Sequence, residues 1–124
     1  MKVLIIDDEE DIRRIAYLSL GKVGGMDVLD ADGGSEGLRK AESEKPDVIL
    51  LDMMMPKMDG RATLAALRGN PSTSKIPVIF LTAKAMRSEV EQLMQIGATG
   101  VLTKPFDPMT LASQVRSILS ENGH

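Results

Sequence analysis

Five residues of this 124-residue chain stand where their side chains can do chemistry together. Asp7 and Asp8 follow the apolar run Val3–Ile6, Asp52 follows Val48–Leu51, Thr82 follows Val78–Leu81, and Lys104 comes just after Val101–Leu102. Carboxylates brought side by side repel one another by about 3 kcal/mol per pair at ~5 Å and an effective dielectric near 20. Three of them gathered in one place therefore call for a cation. All-oxygen ligation with no His or Cys beside it favours Mg²⁺ or a similar hard ion over zinc. Lys104 adds a fixed positive charge and Thr82 a hydroxyl. Acids, a hard metal, a lysine and a hydroxyl together suit the handling of a phosphoryl group.

Each residue has a plainer explanation when taken alone. Asp7 and Asp8, continued by Glu9, Glu10 and Asp11, can be acids favoured at a helix N-terminus. Asp52 can be a turn residue ahead of Pro56, Thr82 a strand-end residue, and Lys104 before Pro105 a solvated lysine. Whether they belong together depends on the elements that carry them.

The four apolar runs are continuous rather than alternating, as expected for parallel strands covered on both faces. Met26–Ala31 is a fifth, less apolar candidate, suited to a sheet edge. Helical patterns fill the gaps. Ile12, Ile15, Ala16 and Leu20 mark a stripe closed by Gly21 to Gly25, and Gly34, Leu38 and Ala41 a weaker one closed by Pro46. Leu64 and Leu67 precede the breaker Asn70-Pro71, and Val90, Leu93, Met94 and Gly97 mark a fourth helix. In the last, Asp107 is placed as the cap, Pro108 as the first helical residue, Phe106 and Leu111 as a hydrophobic staple, and Leu111, Val115, Ile118 and Leu119 as the stripe. Ser120–His124 reads as a frayed end.

Strands alternating with helices five times predict an α/β fold: a doubly wound, five-stranded parallel sheet of flavodoxin-like (βα)5 type, in the order 2-1-3-4-5. Ligands bind such sheets beyond the carboxyl ends of the strands. In that order strands one, three, four and five are neighbours, so the five side chains share one edge and can converge. The plainer explanations then require independent coincidences at the one edge where function is expected.

Composition narrows the classes further. Hydrophobic residues make up 43% and charged residues 27%, which suits one globular domain, expected over residues 1–120 with a tail over 121–124. With no Cys there is no disulfide framework, thiol nucleophile or thiolate metal site. The apolar runs are too short to span a bilayer, and the opening Met-Lys leads straight into acids rather than a signal peptide, so no membrane insertion and a cytoplasmic location are expected. A net charge of −3, no Lys/Arg cluster and three aromatic residues argue against direct nucleic-acid binding. Nine Met residues, three consecutive at Met53–Met55, are the compositional oddity; two are expected to pack inward and one to sit at the surface.

The motifs Ile-Ile-Asp-Asp-Glu at 5–9, Leu-Leu-Asp-Met-Met-Met-Pro-Lys-Met-Asp-Gly at 50–60, Leu-Thr-Ala at 81–83 and Lys-Pro-Phe at 104–106 resemble the receiver domains of two-component response regulators, over essentially the whole chain. The resemblance implies a phosphorylation-dependent signalling switch rather than an enzyme, one that catalyses only its own phosphorylation and dephosphorylation. Asp52 would be the phosphoacceptor, charged by a sensor histidine kinase or histidine phosphotransfer protein. Asp8, Asp52 and the backbone carbonyl of Met54 would ligate Mg²⁺, with Asp7 acting largely through water. Lys104 would neutralise phosphoryl oxygens and Thr82 would move to hydrogen-bond one. The Lys104–Pro105 peptide is expected to be cis, and Pro56, Asp59 and Gly60 to set a turn and a helix start. No output domain is expected after residue 124, so a stand-alone, chemotaxis-regulator-like domain acting on a downstream protein effector is expected.

The chain departs from the family pattern at Val101, three residues before the lysine, where many receivers carry an aromatic whose rotamer reports phosphorylation. Readout would then pass through Thr82 and the segment after strand four. Met54 and Lys84 occupy positions that tune phosphoryl lifetime in the family; Lys84 can reach toward Glu9 or Asp8. A Mg²⁺-dependent aspartyl-phosphate phosphatase of the haloacid-dehalogenase kind would need a second Asp at position 54, where Met54 stands. A nucleotide- or flavin-binding protein of this topology would need a glycine-rich first turn, whereas this one is Asp-Asp-Glu-Glu-Asp.

Overall fold

A computed structural model describes residues 1–84 and 86–122. Five parallel strands form one sheet in the order β2-β1-β3-β4-β5: β1 (Lys2–Ile6), β2 (Asp27–Ala31), β3 (Val48–Asp52), β4 (Val78–Thr82) and β5 (Gly100–Thr103). The helices are α1 (Glu10–Ala16), α2 (Gly34–Glu44), α3 (Gly60–Gly69), α4 (Arg87–Gln95) and α5 (Leu111–Glu121). The doubly wound flavodoxin-like topology expected from the runs is the one present.

The continuous apolar runs divide by the two-residue period of a strand. Val3, Ile5, Val48, Leu50, Ile79 and Leu81 face one side, with Ala16 and Leu20 and with Leu111, Ala112, Val115 and Leu119 of α5. Leu4, Ile6, Ile49, Leu51, Val78 and Phe80 face the other, with Ala41 of α2, Leu64 and Leu67 of α3 and Leu93 of α4. Both faces are covered, so the buried stretches Val3–Ile6, Val48–Leu51 and Val78–Leu81 are apolar throughout, and polar residues stand only at the strand ends. Phe80 is fully buried; truncation to Ala there costs about 3–5 kcal/mol.

Four local details depart from expectation. The first helix closes within the expected Gly21 to Gly25 stretch, at Gly24, but not as a continuous α-helix. It widens into a π-helical stretch, Tyr17–Val23, in which the Gly24 N–H donates to the Ser19 carbonyl five residues back at 3.0 Å. In the expected stripes Ala16, Leu20 and Leu93 are buried, but Ile15 and Met94 are exposed. The last helix begins at Leu111 rather than Pro108. Asp107 still caps, accepting the Met109 N–H at 2.9 Å, but it closes a turn through Thr110 that leads into the helix. At the other end Ser120 and Glu121 are helical rather than frayed, while Gly123 and His124 of the expected tail lie outside the described residues.

Candidate functional site

The site forms where β1, β3 and β5 release their chains at the carboxyl edge. Register places Ile6 beside Leu51, Asp52 beside Leu81 and Thr82 beside Thr103. Asp7 and Asp52 therefore follow directly from buried strand backbone and are themselves buried, at 0% and 4% exposure. Asp8 and Glu9 lie one and two residues further out and are exposed.

Lys104 enters from β5, next to a cis peptide bond with Pro105. Its Nζ lies 2.8 Å from Asp7 Oδ2, 3.1 Å from Asp52 Oδ1 and 3.6 Å from Glu9 Oε1. The Asp52 contact is a hydrogen bond, and the Asp7 contact is the shorter ion pair. Asp52 Oδ2 is buried and has no hydrogen-bond partner among the described residues. Asp52 Oδ1 also accepts, at 3.4 Å, the backbone N–H of Met54.

Burial pushes the Asp52 carboxyl up to about 6; the Lys104 hydrogen bond and charge and the Met54 N–H oppose this, and the neighbouring Asp7 charge reinforces it. Burial by itself would lower the Lys104 ammonium, but the Asp7 and Asp52 carboxylates outweigh it and hold the lysine above its ordinary value. Lys104 stays charged throughout the neutral range.

Asp7, Asp8, Glu9 and Asp52 each offer an oxygen, and these oxygens all lie within 4.8 Å of one another. An all-carboxylate donor set met by one ammonium among the described residues, with the buried Asp52 Oδ2 left without a partner there, fits a hard divalent cation.

The loops are held by local devices. Arg13 donates to the Asp7 carbonyl oxygen at 2.9 Å and to the Asp30 carboxylate at 3.1 Å, tying the start of α1 to the end of β1 and to β2. Asp59 caps α3 by accepting the Ala62 N–H at 2.8 Å. Gly60 must be glycine: a Cβ there would lie 2.5 Å from the Asp52 carbonyl oxygen and 2.9 Å from Met53 Cα. Of the three consecutive methionines, Met55 is buried and Met53 packs half-buried against the core, while Met54 is 81% exposed beside the acceptor.

Four of the five residues expected to converge, Asp7, Asp8, Asp52 and Lys104, do so. Thr82 does not join them: its hydroxyl donates to the Lys84 carbonyl at 2.9 Å and accepts the Lys84 N–H at 3.3 Å. Among the described residues Lys84 forms no ion pair with Glu9 or Asp8; Lys104 meets Glu9 instead. Sequence reasoning missed two participants. Glu9 stands in plain view in the Asp-Asp-Glu run, where it reads as a helix-start acid. Arg13 carries no sequence signal, because its targets lie at a strand end and on another strand.

The fold and this edge define a phosphoryl-handling receiver. The model of the response regulator receiver domain matches residues 3–116, and the chain belongs to that family, whose general function is phosphorylation-dependent switching. The chain is 40% identical, over 95% of its length, to the alkaline phosphatase synthesis transcriptional regulatory protein PhoP of Bacillus subtilis, of which it spans 48%. It is 34% identical, over the same share of its length, to a probable chemotaxis protein CheY of Rhizobium etli, of which it spans 92%. The chain thus spans about half the length of the transcriptional regulators it matches. Among solved structures, Vibrio cholerae chemotaxis protein CheY4 superposes with a TM-score of 0.88 at 35% identity, over 95% of this chain and 98% of that one. No helix among the described residues is long and apolar enough to cross a membrane.

Proposed function

We propose that Asp52 is the phosphoacceptor of this receiver. The observation that carries the reading is the state of its carboxylate: buried at the end of the central strand, one oxygen on Lys104 and the other without a hydrogen bond. The free oxygen forms the new O–P bond as the P–N bond to a donor phosphohistidine breaks, leaving an acyl phosphate on Asp52. Lys104, held at the mouth by Asp7 and Asp52, is within reach of the transferred phosphoryl oxygens and balances their charge. Thr82, one strand over, gains a better acceptor than the Lys84 carbonyl once that phosphoryl is in place. Asp7, Asp8, Asp52 and the backbone carbonyl of Met54 would hold Mg²⁺. When bound, it supplies charge that offsets the carboxylates and the phosphoryl oxygens.

The domain spans residues 1–120 in this reading and acts as a switch, catalysing only its own phosphorylation and dephosphorylation. Its partners are a sensor histidine kinase or histidine phosphotransfer protein on the input side and a protein effector on the output side, in the cytoplasm. The test is incubation with a small-molecule phosphodonor and Mg²⁺, followed by intact-mass measurement. The expected result is a gain of one phosphoryl group by the wild type and none by Asp52→Asn.

A further inference from the structure

We propose that Glu9 is a fourth carboxylate of the cation site, supplying an oxygen to the shell of a hard divalent cation beyond the three aspartates already assigned. The proposal rests on the metal reading given above and deepens it.

Three observations carry it. Glu9 stands at the N-cap of α1, yet its side chain makes no capping hydrogen bond and so is not spent on the helix N–H groups. One of its carboxylate oxygens lies within 4.8 Å of an oxygen from each of Asp7, Asp8 and Asp52. Asp7 and Asp52 are nine-tenths buried or more; Asp7 Oδ2 is met by Lys104 at 2.8 Å, whereas Asp52 Oδ2 has no partner among the described residues. Among the described residues Lys104 is the cation paired with these acids, and it approaches Glu9 least closely, at 3.6 Å against 2.8 Å for Asp7 and 3.1 Å for Asp52.

The backbone explains the placement. The Glu9 N–H donates to Asp7 Oδ1 at 2.9 Å, which folds the loop back over the end of β1 and sets Glu9 beside the buried carboxylate. The side chain stays exposed enough to change partners, so it can leave Lys104 for a cation without repacking the core. Glu10 is the natural contrast. It is adjacent in sequence and equally charged, but it is paired with Arg14 at 3.1 Å and lies outside the cluster.

The test is calorimetric titration of the metal-free full chain with Mg²⁺ alone at 0.1 M monovalent salt, on wild type, Glu9→Gln, Glu10→Gln and Asp8→Asn. Removing one unit charge next to a divalent ion at a partly solvated site is expected to weaken binding about tenfold. Glu9→Gln should show that loss. Glu10→Gln should change affinity less than about twofold, its charge being further off and screened. Equal affinities for Glu9→Gln and Glu10→Gln, with Asp8→Asn impaired, would overturn the role of Glu9 and leave the metal site standing. Wild-type affinity in Asp8→Asn would overturn the metal reading and the Glu9 proposal with it. Amide spectra of each variant show directly that it is folded.

Discussion

The hydrogen bond from Lys104 Nζ to Asp52 Oδ1, 3.1 Å long, occupies one acceptor oxygen and leaves the other, buried Oδ2 without a partner among the described residues. The lysine orients the acceptor and at the same time restrains its charge. Replacing Lys104 by Met removes that restraint and leaves Asp7 and Asp52 as uncompensated buried carboxylates. Breaking a buried pair from one side costs about 3–5 kcal/mol. The Lys104→Met protein should therefore have a clearly lower melting temperature at neutral pH without metal, and Mg²⁺ should restore part of it. A melting temperature equal to wild type in EDTA would show that the lysine does not stabilise the buried carboxylates.

The same geometry sets a pH dependence. Asp52 is raised to about 6 from an ordinary value of 3.8, chiefly by burial. A raised value means the folded state holds the proton more tightly than the unfolded chain does. The associated stability is complete below pH 3.8 and is lost as pH rises through 6, on the order of 2–3 kcal/mol in all. In metal-free buffer, Asp52→Asn should thus gain stability relative to wild type between pH 4 and pH 7. A difference between the two proteins that is flat over that window would contradict the burial argument.

The metal prediction is separable from both. Mg²⁺ should raise the melting temperature of the wild type, by about 2.7 kcal/mol of stability at a hundred times its dissociation constant. Asp8 is exposed, so Asp8→Ala relieves repulsion without opening a cavity. That variant should be more stable than wild type without metal and unresponsive to it. Asp8→Ala less stable than wild type in EDTA would instead support a helix-start role for the acid.

Much of this was legible in the chain because apolar runs and strand ends are encoded locally. Val48–Leu51 followed by Asp52 can be covered on both faces only if Asp52 emerges at the carboxyl edge, and β1 and β5 obey the same logic at Asp7 and Lys104. What was not legible depends on side-chain direction or on tertiary contact. The Thr82 hydroxyl is turned onto its own loop by the Lys84 peptide group, which no residue type announces. The π-helical stretch depends on packing: a Cβ on Gly24 would come within 2.6 Å of Ala112 of α5, so the backbones approach closely where the helix widens. Glu9 was visible as a residue but not as a participant, because capping and metal binding call for the same side chain.

Gly60 offers a test of how tightly the acceptor is seated. The Gly60 N–H donates to the Met53 carbonyl at 3.0 Å, and a Cβ would press on backbone, which cannot rotate away. Gly60→Ala should lose about 1–3 kcal/mol of stability and slow phosphorylation by shifting Asp52. Gly69→Ala is the control, because a Cβ there meets nothing within 4 Å. Equal melting temperatures and rates for the two variants would show that the close approach is unimportant.

The last prediction concerns how phosphorylation is read out. A phosphoryl group on Asp52 brings about −1.5 to −2 charge and strong acceptor oxygens. Lys104 is already committed to this pocket, so the group able to respond by moving is the Thr82 hydroxyl, now spent on the Lys84 carbonyl. Turning it inward breaks that bond and releases the segment leading into α4. The helix is poorly anchored there: its N-cap, Met86, makes no side-chain capping bond, and Leu93 is its only buried residue. Strand five has less to offer. Val101 packs half-buried against the core face shared with Leu93 and has no ring to swing into space vacated by the loop. Amide shifts on phosphorylation should therefore be largest at Thr82, Ala83, Lys84 and Met86 and small at Val101, Leu102 and Thr103. Thr82→Ala should accept the phosphoryl group yet lose these shifts, and Val101→Ala should keep them. Shifts concentrated on Val101–Thr103 with Thr82–Lys84 unmoved would show that the switch runs through strand five instead.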